Sequence, residues 1–297
     1  MSFQVTTAFN EQYGSNVEQL VQQGDRRFAG KCREESQRGK TKFWEQLGAT
    51  SAVKRTNRHS DTPRIDSEHR RRQATLEDYE WSDLIDDLDE VKMLANFRSP
   101  YAQSAAMAMN RASDQSIIDA STGTAYADDD GDAAITPVTL PAGQQISVSL
   151  GGSSEGLTLG KLIETKSILG KNEVPRGTKL YFAYTQQQLD DLLNNVNQVS
   201  SADYAAIKAL VSGEVNYFVG MELIKTELLT LTAATDVRTC FGYAYPGLMK
   251  VVGQDMRSRI TERDDKSYST QVYCSMSIGA TRMQEEMVVE CPCDESP

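Results

Sequence analysis

Apolar positions are unevenly spread along the chain, and their spacing changes character several times. Phe9, Tyr13, Val17, Leu20 and Val21 recur at helical intervals in a Gln- and Glu-rich stretch. They predict one amphipathic helix on an arm, residues 1–49, that is too poor in apolar side chains to form a domain. In residues 50–75, Val53 and Ile65 are the only large aliphatics, and Pro63 interrupts the run. A polar excursion this long is functional or disordered; we expect an extended two-stranded loop that projects from the body and takes its missing core from a neighbour. Leu84, Ile85, Leu88, Val91, Met93 and Leu94 return to helical spacing, so residues 81–95 are expected to begin the packed body as a helix. Ser99 then reads as an N-cap, Pro100 as a first helical residue and Gly123 as a left-handed stop. The alanine-rich residues between them would form a spine of roughly 30–35 Å, with side chains small enough to let another layer approach. Helices follow over residues 157–170, closed by a glycine, over 186–195, opened by a Thr185/Gln188 capping box, and over 201–211, stopped at Gly213. Residues 179–184 read as a strand, as do the alternating Val215, Tyr217, Val219 and Met221. From Arg238 onward the pattern is strand-like, strongest over 271–278 and 286–291, and the whole order is α+β.

Charge sharpens this division. The chain has 31 Lys plus Arg against 42 Asp plus Glu, a net charge of −11, which argues against generic binding to nucleic acid. Up to Arg72 there are 14 basic and 9 acidic side chains; beyond it there are 17 and 33. The loop concentrates Lys54, Arg55, Arg58, Arg64, Arg70, Arg71 and Arg72 against Asp61, Asp66 and Glu68. The next segment, residues 76–90, carries Glu77, Asp78, Glu80, Asp83, Asp86, Asp87, Asp89 and Glu90 with no cation. Repulsion within it must be relieved by water, salt or another surface. Two solvated faces satisfy that need, and so does a meeting of basic and acidic stretches from different copies, which would steer assembly. On the second reading Lys54, Arg55, Arg58, Arg64, Arg70, Arg71, Arg72, Glu77, Asp83, Asp86 and Asp87 are the candidate inter-subunit contacts. Replacing Arg70, Arg71 and Arg72 together by Ala is then expected to leave a folded chain that assembles poorly.

Composition adds mainly exclusions. With 39% hydrophobic and 25% charged residues the chain is globular, and its length allows one elaborate domain or two ordinary ones. No apolar run reaches the roughly 18 residues that span a bilayer, and the start lacks a basic and an apolar region, so a soluble chain with no signal peptide and no membrane partner is expected. Five cysteines, an odd number, favour reduced thiols. The only histidines are His59 and His69, both in the Arg-rich stretch. Asp128, Asp129, Asp130, Gly131 and Asp132 imitate a calcium loop, but placing Gly131 sixth puts Tyr126 first and Pro137 twelfth. Gly156, Gly160 and Lys161 imitate a phosphate loop with the wrong spacing and Leu162 where Ser or Thr belongs. Cys291 and Cys293 supply half of a tetrahedral metal site, and there is no Gly-x-Ser-x-Gly elbow. No catalytic, cofactor or metal residue is nominated, and an enzyme is not expected.

Three groups of residues carry a family likeness: Tyr79, Trp81, Asp86 and Asp89 leading into residues 97–119; Gly213, Glu214, Val215, Tyr217, Phe218, Val219 and Gly220 with Ile224; and Gly279, Ala280 and Arg282 with residues 286–290. In their order and spacing, from about residue 40 to 293, the chain resembles the major capsid proteins of tailed bacteriophages. The resemblance implies the α+β fold that these share with herpesvirus and encapsulin shells: an N-terminal arm (1–49), an extended β-hairpin loop (50–75), a peripheral domain (76–150 and 236–297, with a spine helix at 99–122) and an axial domain (151–235). It implies a structural subunit of an icosahedral virion, self-assembling into hexamers and pentamers that enclose double-stranded DNA without sequence-specific binding. The partners it implies are further copies, a portal protein, a separate scaffold protein and, as an optional addition, a decoration protein. Some relatives cross-link their loops through Lys and Asn. Lys54 and Asn57 are present, but no accompanying carboxylate is evident, and no covalent bond is expected. Two alternatives stay open: an encapsulin-like nanocompartment shell, which would package an enzyme, and a nucleic-acid-binding protein using the basic loop, whose affinity would fall steeply with salt.

Overall fold

The computed structural model describes residues 20–58, 61–86, 98–128, 135–150, 152, 155–194 and 217–296. In chain order the strands are β1 (Arg33–Ser36), β2 (Thr41–Leu47), β3 (His69–Thr75), β4 (Glu77–Ile85), β5 (Ala125–Asp128), β6 (Thr136–Val138), β7 (Leu180–Tyr184), β8 (Tyr217–Phe218), β9 (Met221–Lys225), β10 (Leu231–Thr232), β11 (Val237–Ala244), β12 (Leu248–Arg263), β13 (Ser269–Arg282) and β14 (Val288–Asp294). The helices are α1 (Arg98–Thr122), α2 (Leu159–Lys171) and α3 (Gln186–Asn194). Two compact units emerge, one of Met1–Asp25, Asp78–Ala112 and Gln254–Ser277, the other of Arg26–Glu77, Ser113–Gly253 and Ile278–Pro297.

In the first unit β13 lies between β12 and β4. The helix expected over residues 81–95 is corrected where it is described: Trp81 to Ile85 belong to β4. Tyr79, Trp81, Asp83 and Ile85 are less exposed than their neighbours, a period of two, whereas Leu84, on which the helical spacing leaned, points to solvent. The spine helix α1 opens at Arg98, so Ser99 lies inside it and is not its N-cap. Gly123 is not left-handed either. Its amide donates to the Asp119 carbonyl at 3.0 Å, and a methyl group there would collide with that oxygen, so close approach is what demands glycine.

In the second unit the largest sheet runs β10-β11-β7-β9-β8, with β14 also paired to β11. Strand β7 is antiparallel to β11 and parallel to β9. Buried on both faces, it reads as a nearly unbroken apolar run, Leu-Tyr-Phe-Ala-Tyr. Helix α2 packs on β11 so closely that a Cβ at Gly242 would sit 2.5 Å from Thr165 Cγ2. It is capped by Thr158, whose hydroxyl accepts from the Lys161 amide at 3.3 Å, and it runs through Gly170 to Lys171 instead of stopping at the glycine. Helix α3 forms where expected, but its capping box does not close on itself. Thr185 Oγ1 and Gln188 Nε2 both donate to Glu295, and the Gln186 amide donates to Glu227. The single strand expected through Val219 is a tight hairpin: Val219 and Gly220 both have positive φ, 52° and 83°, the geometry of a type I′ turn between β8 and β9.

A second sheet in this unit, β2-β3-β5-β6, pairs Thr41↔Thr75 through Leu47↔His69. The paired part of the expected loop therefore starts inside the segment assigned to the arm, and only residues 48–68 lie between its strands. The helix at 201–211, the arm before Leu20 and the acidic turn after Asp128 fall outside the described residues.

Candidate assembly surfaces

The β2–β3 hairpin has two unlike faces because its residues alternate. Trp44 packs on a small core of Ala74, Met249, Val251 and Met283, while Phe43 and Leu47 point outward and are exposed. The ladder closes where the Gly48 amide donates to the Glu68 carbonyl at 2.8 Å. Beyond it the chain has no regular structure in its described part, and Lys54, Arg55, Arg58 and Arg64 are all exposed. Their local contacts are short-range: Arg55 Nε donates to the Asn57 carbonyl at 3.0 Å, and Arg64 meets Asp66 at 3.0 Å. Arg70 pairs with Glu68 at 2.8 Å, and Arg71 pairs across the hairpin with Glu45 at 2.7 Å. Exposed pairs of this kind add little stability.

Arg72 departs from that list. It is 3% exposed, and Nη2 donates to both oxygens of Glu285 at 2.9 Å. Glu285 also faces Arg282, at 3.6 Å. Arg282 is fully buried and holds the Ser121, Gly123 and Val138 carbonyls at 2.9, 2.8 and 3.1 Å. Arg72 is thus consumed inside its own chain, and triple replacement of Arg70, Arg71 and Arg72 would damage the fold along with the surface. Sequence reasoning missed Glu285 as a partner, because Arg72 sits between Arg71 and Gln73 in a strand that reads as polar throughout its first half and carries no local mark of burial.

Of the acidic candidates, Glu77 and Asp83 lie on β4 and Asp86 follows it, while Asp87 is outside the described residues. Glu80, on the same strand, accepts from the Tyr273 hydroxyl at 2.9 Å. The arm is anchored where it is described. In the first unit Asn110 Nδ2 holds the Gly24 carbonyl at 2.7 Å and Arg111 Nη1 holds the Gln22 side chain at 2.8 Å. In the second, the buried Asp114 carboxylate accepts from the Arg27 amide at 2.7 Å.

The motifs that imitate chemistry are occupied structurally. Lys161 is buried, and its Nζ donates to the Glu155 and Pro292 carbonyls at 2.6 and 3.0 Å. All five cysteines are free and buried. Burial pushes the Cys32 thiol up to about 12, out of the reactive range. Among the described residues no cluster of His, Cys, Asp or Glu is placed to hold a metal, and no helix is long and apolar enough to cross a membrane.

A family profile described as phage capsid protein matches residues 5–295. Comparison with curated protein sequences finds no match. Among solved structures, the capsid of the cyanophage P-SCSP1u superposes with a TM-score of 0.75 at 16% identity, covering 100% of this chain and 96% of that one. The capsid of Ralstonia phage GP4 gives 0.71 at 9% identity, covering 98% and 97%. The head of the Helicobacter pylori bacteriophage KHP40 gives 0.70 at 10% identity, covering 100% of both chains.

Proposed function

Since this chain belongs to the phage capsid protein family and is a structural subunit of a virion shell, we propose that it closes that shell through repeated contacts between copies, as hexamers and pentamers around double-stranded DNA. Assembly would take place in the host cytoplasm, on a separate scaffold and with a portal protein at one vertex. In this reading residues 76–150 and 236–297 form the peripheral part of the subunit and residues 151–235 the axial part.

The observation that carries the contact mechanism is the tip of the hairpin: an exposed stretch with Lys54, Arg55, Arg58 and Arg64 and little apolar material of its own. Laid over a neighbour, it brings these cations to the acidic run that includes Glu77, Asp83, Asp86 and Asp87. Each exposed pair contributes only about 0.2 to 1 kcal/mol, yet closed symmetry repeats it many times. Replacing Lys54, Arg55, Arg58 and Arg64 by Ala should leave the circular dichroism spectrum unchanged and lower the yield of closed particles in electron micrographs by at least about tenfold. A normal yield would remove the loop charges from the mechanism.

A further inference from the structure

Register fixes the open face of the sheet β2-β3-β5-β6 residue by residue. Phe43 stands opposite Gln73, Gln73 opposite Tyr126, and Tyr126 opposite Pro137. The four therefore form one row across all four strands, on one side of the sheet. Their neighbours Ala74, Ala125 and Ala127 point to the other side and are buried. Phe43 and Tyr126 are each 49% exposed, and Pro137 is exposed as well. A continuous apolar row open to solvent marks a contact surface.

The row itself carries no formal charge. On one side of it Arg71 stands between Glu45 and Asp128; it pairs with Glu45 at 2.7 Å, and Asp128 is buried. Leu47 and His69 lie beyond them, opposite each other. On the other side of the row stand Thr41 and Thr75, also opposite each other. Gln73, near the middle, has a need of its own. Its Nε2 donates to Thr75 Oγ1 at 3.3 Å and keeps a second hydrogen, while its Oε1 is shielded from solvent and has no partner among the described residues. A shielded acceptor costs stability until a donor reaches it.

We infer that two copies meet through this face across a two-fold axis that runs along the row, each row covering its twin. Phe43 and Tyr126 then lie over their own counterparts. The second Nε2 hydrogen of each Gln73, turned outward, reaches the Oε1 of the other. The Glu45–Arg71 border of each copy falls over the Thr41–Thr75 border of the other, so no like charges are brought together. A face of one sign would call for a partner of the opposite sign; this one complements itself, which selects a second copy. Four strands about 4.8 Å apart and three rows about 7 Å apart make roughly 400 Å², half of the ~800 Å² per partner of a stable dimer. Unassembled subunits therefore stay single, and the contact forms where other contacts already hold two copies together, as between neighbouring rings of a shell. The inference rests on the shell reading and uses an uncharged row, where the loop contact uses charge.

A surface that meets itself can be linked to itself. Gln73→Cys puts one thiol on the axis of a chain whose own five cysteines are buried. Sheets packed face to face stand about 10 Å apart, so a bismaleimide of roughly 8 Å span should join the two new thiols. On a denaturing gel, shells of this variant should give at least about tenfold more covalent dimer than unassembled subunits at equal mass. Intact shells without dimers would overturn the inference, as would equal linking in the two states. If that variant does not assemble, Tyr126→Cys places the thiol on the same axis and is read in the same way. Independently, Phe43→Glu with Tyr126→Glu should lower shell yield at least about tenfold and leave the melting temperature of the unassembled subunit unchanged. A normal yield would also overturn the inference. If the charged chain loses its fold, Phe43→Gln with Tyr126→Gln reads the same row, a tenfold loss supporting the contact and an unchanged yield opposing it. An unmodified chain that forms no shells would instead sink the shell reading.

Discussion

Glu285 is the residue on which the second unit makes its largest electrostatic commitment. Two guanidiniums, those of Arg72 and Arg282, are buried beside its one carboxylate. Desolvation of buried charges is tolerated only while the partners remain, so removing the carboxylate strands both cations. Glu285→Gln should therefore destabilise the unassembled subunit by about 3 to 5 kcal/mol in urea denaturation. Arg71→Ala, which breaks the exposed pair with Glu45 on the same strand, should cost less than about 1 kcal/mol. Equal costs for the two variants would show that burial does not set the value of these pairs. The contrast also explains why a run of three arginines can serve two ends: alternation along β3 sends Arg71 out and Arg72 in.

Elements in the second unit are tied by charges that the apolar pattern does not reveal. Glu35 on β1 accepts from Lys42 Nζ at 2.7 Å and from the Trp44 indole at 3.0 Å, both on β2. These hydrogen bonds, that from Lys42 first, hold its carboxyl down at about 2. A lowered carboxylate contributes its full stability above its ordinary value and loses it as pH falls through the lowered one. The melting temperature of Glu35→Gln should thus lie below that of the unmodified chain at neutral pH, with a gap that narrows below about pH 4.5 and closes near about pH 2. A gap independent of pH would assign the loss to packing. The sequence made the buried strands β7, β13 and β14 legible because each carries its own apolar signature, and α1 because alanine and Pro100 mark it. Strand β4 was misread because its strand character depends on a weak alternation of Tyr79, Trp81 and Ile85 among carboxylates. The start of the hairpin at Thr41 was hidden for a related reason: β2 is half polar, and its partner strand β3 is three arginines with a histidine. The Arg72–Glu285 pair was illegible because its members are far apart in sequence and meet only after the sheet forms.

At the scale of the whole molecule, the chain invests unevenly in itself. Among the described residues, the largest group of buried side chains lies in the second unit, around Phe182, Phe241, Tyr243 and Leu162, while residues 49–58 and 61–68 are exposed almost throughout and lack regular structure. Backbone with few buried contacts and few internal hydrogen bonds opens at little cost and is the first to be cut by proteases. Before assembly, the peptide bonds after Lys54, Arg55, Arg58 and Arg64 should then be the earliest trypsin sites, yielding two fragments of unequal size while the strands on either side survive. On the proposed contact, the same stretch would lie against a neighbour in a closed shell and gain the contacts it lacks alone, so cleavage there should slow by at least about tenfold. The comparison needs only particles and unassembled subunits at equal mass, read by mass spectrometry of the fragments. Equal cleavage rates in the two states would mean that the loop stays free after assembly and that the shell is held by other surfaces.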